Sequence, residues 1–237
     1  MLAVIVAPSV RHYTAAVVAF CFSLAVVSAF AEETPFVLLP DKSLDRDWIG
    51  LGRDTLLLFG YQTVAIGILY ALPESTTKWS DEQKNAGVER WWEHVRHPQW
   101  DSDPWTVNYI GHTYFGATYY IRARERGFGE IDSFLYAALA SAMYEFGVEA
   151  LFERPSYQDL IVTPVGGALL GFALEPLRNR IKRKPELQWY DHVALIATDP
   201  IGALNSVTER LLGIKSDIRV DVGRDGKIHA ELRMLWN

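Results

Sequence analysis

The chain opens with an apolar run from Tyr13 to Phe30. Arg11 and His12 precede it, and Ala29-Phe30-Ala31 followed by Glu32-Glu33 closes it. A basic flank, an apolar centre and a small-x-small end form the order of an export signal cleaved after Ala31. The stretch Met1 to Val10 is long and apolar for such a signal, so an uncleaved anchor is the alternative. Residues 32–54 read as an extended lead-in.

Further along, Thr55 to Leu72 is apolar except for Gln62 and stops at Pro73. At about 1.5 Å per residue a helix of this length roughly covers a bilayer core, or serves as a buried central helix. Gly60 and Gly67 within it would admit close neighbours. Residues 74–105 are polar and aromatic, with helical character from Lys84 to Val95 and punctuation at His97-Pro98 and Asp103-Pro104. The spacing then predicts helices over 105–126, 131–153 and 157–183. Gly127 ends the first, and Arg154-Pro155 separates the other two. Ser156 and Asp159 suit the start of the third as a variant capping box, and Pro164 predicts a kink or a late start. A further helix over 191–213 is broken at Asp199-Pro200. Residues 217–222 and 227–235 alternate apolar and polar around Gly223-Arg224-Asp225-Gly226, the pattern of a β-hairpin. The expected architecture is mainly α: a membrane-associated helical bundle over 55–213 with a small hairpin tail over 214–237.

Composition narrows the classes. With 237 residues, 49% hydrophobic and 13% aromatic, the chain can bury a substantial core. A net charge of −6 without a large basic block argues against nucleic acid as a partner. Eight tryptophans and eleven tyrosines suit positions apolar at one end and wet at the other, in a packed core or at a membrane interface. Cys21 is the single cysteine, and it lies inside the apolar run behind Phe20. That position rejects lipidation, and the chain after Ala31 has neither disulfide nor thiol chemistry.

Charge placement also bears on topology. If the apolar segments at 55–72, 106–121, 131–152 and 160–177 all crossed a membrane, loops 122–130 and 178–187 would share one side. Those loops hold Arg122, Arg124 and Arg126, then Arg178, Arg180, Lys182, Arg183 and Lys184. An N-terminal signal in its usual orientation would place them outside, against the positive-inside rule. A domain on the periplasmic side, resting on a membrane, fits better. Its basic clusters then face anionic head groups or simply water.

Candidate chemistry gathers between Trp105 and Gly171. Asn108 and His112 are four apart on one predicted helix, Glu145 and Glu149 four apart on the next, and Asp159 and Thr163 four apart on the third. Carboxylates in apolar helices are costly unless paired or bound to a cation. The three faces are therefore expected to converge, bringing His112, Glu145, Glu149 and Asp159 together with Asn108 and Arg122 or Arg154 nearby.

Four segments within this block carry a resemblance. They are Trp105-Thr106-Val107-Asn108-Tyr109-Ile110-Gly111-His112, Arg122-x-Arg124-x-Arg126-Gly127, Tyr144-Glu145-Phe146-Gly147-Val148-Glu149, and Glu153-Arg154-Pro155-Ser156-x-x-Asp159-Leu160-x-x-Thr163-Pro164-x-x-Gly167. In that order they resemble an exported bacterial domain family of unknown function, over roughly 105–171. Thr113 stands where the family usually has a proline after the histidine. The plan is more loosely similar to VanZ-like and small envelope lipoprotein families, which implies a topology and no reaction.

Two functions compete. In the first, an exported envelope protein has a structural or maintenance role, and its polar side chains fix how glycine-rich helices pack. In the second, the chain is a hydrolase of lipid or lipid-linked glycan. His112, Glu145, Glu149 and Asp159 are then catalytic, with a divalent metal on His112, Glu145 and Glu149 as the candidate cofactor. Asn108, Arg122 and Arg154 would hold the substrate. Helix-borne His and carboxylate groups are common in bundle metal sites, but no HExxH or comparable signature is present. His94 and His97 with Glu89 or Glu93 form a weaker metal candidate, better explained as surface residues. Tyr190-Asp191-His192 lacks a nucleophile signature, and Ser156 is better explained as a helix cap.

Overall fold

The structure is a computed structural model that describes residues 46–77, 87–100 and 102–212, together with the backbone of 215–222 and 228–235. The segment expected to be an export signal, and residues 223–227, where a hairpin turn is expected, lie outside the described residues. The protein is mainly helical. Its principal helices are α1 (Trp48–Ala71), α2 (Gly87–Arg96), α3 (His112–Glu125), α4 (Glu130–Met143), α5 (Asp159–Lys182), α6 (Trp189–Thr198) and α7 (Pro200–Leu211). Strands β1 (Lys215–Val222) and β2 (Ile228–Leu235) pair antiparallel, with Lys215 opposite Leu235 and Val222 opposite Ile228.

Helix α1 begins at Trp48 rather than at Thr55, so the lead-in is shorter than the hydropathy pattern implies. Arg53 and Asp54 interrupt that pattern, yet Asp54 is fully buried and points into the protein. It is an interior ion-pair partner. At the other end of the chain, Asp199 caps α7 by accepting the Gly202 amide at 2.8 Å, and Pro200 takes the first helical position.

Helices α3, α4 and α5 form the central layer. Two glycines set how closely α3 and α5 approach. A Cβ on Gly116 would lie 1.8 Å from the Thr163 carbonyl oxygen, and one on Gly167 would lie 2.3 Å from the Gly116 carbonyl carbon. Only hydrogen at both positions permits the crossing. Thr113 finds its place beside the same contact, since a Cβ on Gly166 would meet its Oγ1 at 2.4 Å. Gly127 closes α3 with φ of 81°, where L side chains are strained. Pro164 lies inside α5, which nonetheless runs unbroken to Lys182.

Between α3 and α4 a small apolar core forms around Tyr119, Tyr120, Ile121, Ala137 and Ala140. Much of the remaining interior is charged. Asp54 receives two hydrogen bonds from Arg126, at 2.7 and 2.8 Å, and one from Asn205 at 2.9 Å. Arg122 Nε lies 3.3 Å from the same carboxylate, and Arg122 Nη1 lies 3.1 Å from Asp199. Arg178 continues the network, bonding Glu125 at 2.9 Å and the Leu195 carbonyl at 2.9 Å, and Lys182 pairs with Glu125. Four cations (Arg122, Arg126, Arg178, Lys182) thus meet four carboxylates (Asp47, Asp54, Glu125, Asp199), which lets charge be buried without a net residue.

Apolar side chains, by contrast, reach the surface in rows. Ile131, Leu135 and Leu139 are exposed on α4, and Ile161, Val165, Leu169 and Phe172 on α5. Positions three or four apart share one helix face, so these are stripes and not scattered residues. Among the described residues, α5 is long and apolar enough to cross a membrane by length and composition, with 22% of the tested window buried.

Candidate functional site

The first turn of α3, the end of α4 and the start of α5 converge on one polar centre. His112 stands at the junction between a π-helical segment, Thr106–Gly111, and α3. Glu145 lies in a second π-helical segment, Tyr144–Val148, which continues into a 3₁₀ turn at Glu149–Leu151. Wider i→i+5 turns of this kind are frequent at functional sites, and two of them border this centre. Asp159 opens α5 and is held from behind, its backbone amide donating to Ser156 Oγ at 3.1 Å. Ser156 therefore acts as a cap, and its own amide donates to Glu145 Oε2 at 2.8 Å.

The geometry is compact. His112 Nε2 lies 3.6 Å from Asp159 Oδ2, and His112 Nδ1 lies 3.0 Å from Thr163 Oγ1. One ligating atom each from His112, Glu145 and Asp159 falls within 4.8 Å of the others. Glu145 and Asp159 are buried, while His112 keeps partial exposure. The three come from separate elements, joined only by tertiary packing.

Glu149 takes a different position from the one expected. It hydrogen-bonds to Glu145 and lies outside the ligating group. Burial, then the adjacent Glu145 charge, push its carboxyl well above the usual carboxylate range. The Tyr119 and Tyr144 hydroxyls are both raised, chiefly by burial and further by the Glu145 and Glu149 charges.

The other anticipated residues are dispersed. Asn108 is buried in the first π segment, its Nδ2 donating to the Asp103 carbonyl at 3.3 Å. Arg122 belongs to the ionic network with Asp54 and Asp199, where both its neighbours are acidic side chains of the interior. It is an interior counter-ion, and this corrects the expectation that it lies beside the histidine. Arg154 pairs with Glu93 at 3.6 Å and is largely solvated. His94 and His97 bond to the backbone carbonyls of Ala150 and Glu93. Asp191 pairs with Lys184 and accepts the Gln188 amide, forming a helix cap.

Spacing arguments missed Asp54 and its pairing with Arg122 and Arg126. Its partners Arg126 and Asn205 lie 72 and 151 residues away, beyond any local pattern. The one available signal was a lone Arg53-Asp54 pair at the head of a long apolar run.

Residues 97–201 match the model of a family described as "Domain of unknown function (DUF3943)", so this stretch is similar to a domain family of unknown function. The match encloses the His112, Glu145 and Asp159 centre and the whole of α3, α4 and α5. No curated protein and no solved structure matches the chain.

Proposed function

We propose that this is an exported envelope protein, resting against lipid on the periplasmic side, whose His112–Glu145–Asp159 centre binds a divalent cation and supports hydrolysis of lipid or lipid-linked glycan. The observation that carries the reading is the convergence of an imidazole and two buried carboxylates from three elements within 4.8 Å. Two carboxylate charges in the interior need a counter-charge, and a divalent cation supplies it in full. An imidazole beside two carboxylates suits zinc, manganese or iron(II) better than calcium or magnesium.

His112 is set up for that role by Thr163. A metal-binding histidine normally engages a second group through its other ring nitrogen, which fixes the tautomer and the ring plane. Here Nδ1 faces Thr163 Oγ1, leaving Nε2 toward Asp159. A bound cation would act as a Lewis acid and lower the pKa of a water molecule. Glu145 and Asp159 would hold it, and the buried surroundings would limit competing solvent.

The lipid-facing part of the reading is supported by the apolar stripes on α4 and α5 and by the length and hydropathy of α5. Ion pairs in the interior and contiguous apolar stripes at the surface both depart from the usual soluble bundle.

A second reading keeps the centre purely structural, in an envelope-maintenance role. The Ser156 amide bond to Glu145 favours it, because that contact already ties the α4–α5 connection together. Activity separates the two. The full chain in detergent, given phospholipid or lipid-linked glycan with zinc or manganese, is expected to hydrolyse one of them, and to stop on chelation or in His112→Ala. Metal-independent turnover, or none with any of these substrates, would remove the hydrolase reading.

A further inference from the structure

Away from the polar centre, two depressions on the outer face of α4 and α5 join end to end. The first is an open apolar groove of about 350 Å³, with Tyr120 at its base and Ile131, Phe134, Val165 and Leu169 along its sides. Phe172 and Glu130 close its far end and also line the second depression, which is polar. There the chain presents Arg124, Asn179, Arg180 and Arg183. Along α5 the apolar part, Val165 to Phe172, spans about 10 Å and the polar part, Phe172 to Arg183, about 16 Å at 1.5 Å per residue. Their combined length, about 26 Å, is somewhat more than one bilayer leaflet with its head groups, about 20–22 Å.

Charge identifies which end would take a head group. Arg124 is committed to Glu175, with bonds of 2.9 and 2.7 Å, so these two charges cancel. Glu130 contributes one further negative charge at the boundary. Arg180 and Arg183 are exposed and make no ion pair among the described residues. The rim therefore has a positive surplus, set where the apolar groove gives way to a polar one.

We infer that this continuous groove binds one anionic phospholipid molecule, an acyl chain lying along Val165, Leu169 and Phe172 and its phosphate held by Arg180 and Arg183. The site deepens the lipid-facing part of the proposed function and is separate from the His112 centre. Thr163 precedes the apolar end of the groove, and the arginines lie at the opposite end of α5. A lipid held this way keeps its phosphate far from His112, so the groove anchors the protein and does not present the phosphate for hydrolysis.

The test is co-flotation of the full chain with vesicles of phosphatidylglycerol or of phosphatidylcholine, in wild type, in Arg180→Gln/Arg183→Gln and in Leu169→Gln/Phe172→Gln. All four positions are exposed, and a thermal melt checks that each variant folds. The wild type is expected to favour phosphatidylglycerol. Loss of the two arginines should weaken that binding by about 25-fold, at roughly fivefold for each cation near an anionic surface. The Leu169/Phe172 variant should weaken binding to both vesicle types. Equal binding to both lipids, or no effect of the arginine variant, would overturn the head-group assignment. An undiminished Leu169/Phe172 variant would reduce the site to a basic patch. A wild-type dimer that this variant dissociates would instead make a second copy of the chain the occupant. Metal content measured on the same preparations keeps failure here distinct from failure at His112.

Discussion

His112 and Thr163 are joined across the α3–α5 crossing, Nδ1 to Oγ1, at 3.0 Å. The contact depends on the absence of side chains at Gly116 and Gly167, which lets the two backbones meet. A packing decision and a chemical one are thus made at the same place. Removing the hydroxyl with Thr163→Val keeps the volume and frees the imidazole. Affinity for a divalent cation should fall about 10- to 100-fold, the usual cost of losing such a partner. Titration calorimetry on the folded variant measures it, and unchanged affinity would show that the hydroxyl does not orient the ring.

Gly116→Ala and Gly167→Ala should each be destabilising. The added carbon meets backbone atoms, at 1.8 and 2.3 Å, and backbone has little room to give. Overpacking commonly costs about 1–3 kcal/mol, and these positions belong at or above the top of that range. Gly60→Ala on α1, where an added Cβ meets nothing within 4 Å, is the matched control and should be neutral or better. Denaturant melts of the three variants decide the point.

Asp54 is the anchor of the buried ionic network. Asp54→Ala leaves Arg126 and Arg122 facing each other without their shared carboxylate, and breaking such a buried pair costs about 3–5 kcal/mol. Arg46→Gln, at the more exposed pair with Asp132, should cost under about 1 kcal/mol. A similar loss in both variants, read from their melting temperatures, would mean that the interior network is no stronger than a surface one.

The same network sets the response to acid. Burial alone would raise the carboxyl of Asp54, but hydrogen bonding and charge from Arg126, the Arg122 charge and the Asn205 bond together hold it below its ordinary 3.8. Glu125 is likewise raised by burial, yet the charges of Arg178, Lys182 and Arg122 bring it below 4.5. Groups depressed in the folded state stabilise it fully above their unfolded values and lose that contribution as pH falls through the folded ones. Unfolding free energy should therefore drop as the pH is lowered below about 4, and the drop should be smaller in Asp54→Asn. Glu149, raised in the fold, acts in the opposite sense by losing stability as pH rises above its ordinary value. Urea melts from pH 3 to 8 should give a dome, and a profile that is flat below pH 4 would contradict it.

Much of the helical order can be read from residue patterns because capping and breaking are local. Gly127, Arg154-Pro155 and Asp199-Pro200 end or separate helices close to where the spacing predicts. The meeting of His112, Glu145 and Asp159 is also foreseeable, since costly carboxylates on apolar helices must find partners. The π-helical turns are not foreseeable. They shift the face on which Glu145 and Glu149 sit, so that Glu149 serves Glu145 instead of joining the ligating group. Nor does any local pattern reveal that Arg122 and Asp54 are each other's interior partners. Long-range ion pairs are specified by the fold as a whole, and a single sequence carries no period that reports them.

The most direct measurement is the metal content of the purified full chain beside His112→Ala and Asp159→Asn. A stoichiometric divalent metal in the wild type, lost in both variants while their helical content persists, is the predicted result. Absence of metal after incubation with zinc, manganese or iron(II), with both variants simply less stable, would contradict the cation centre and leave these side chains a structural task.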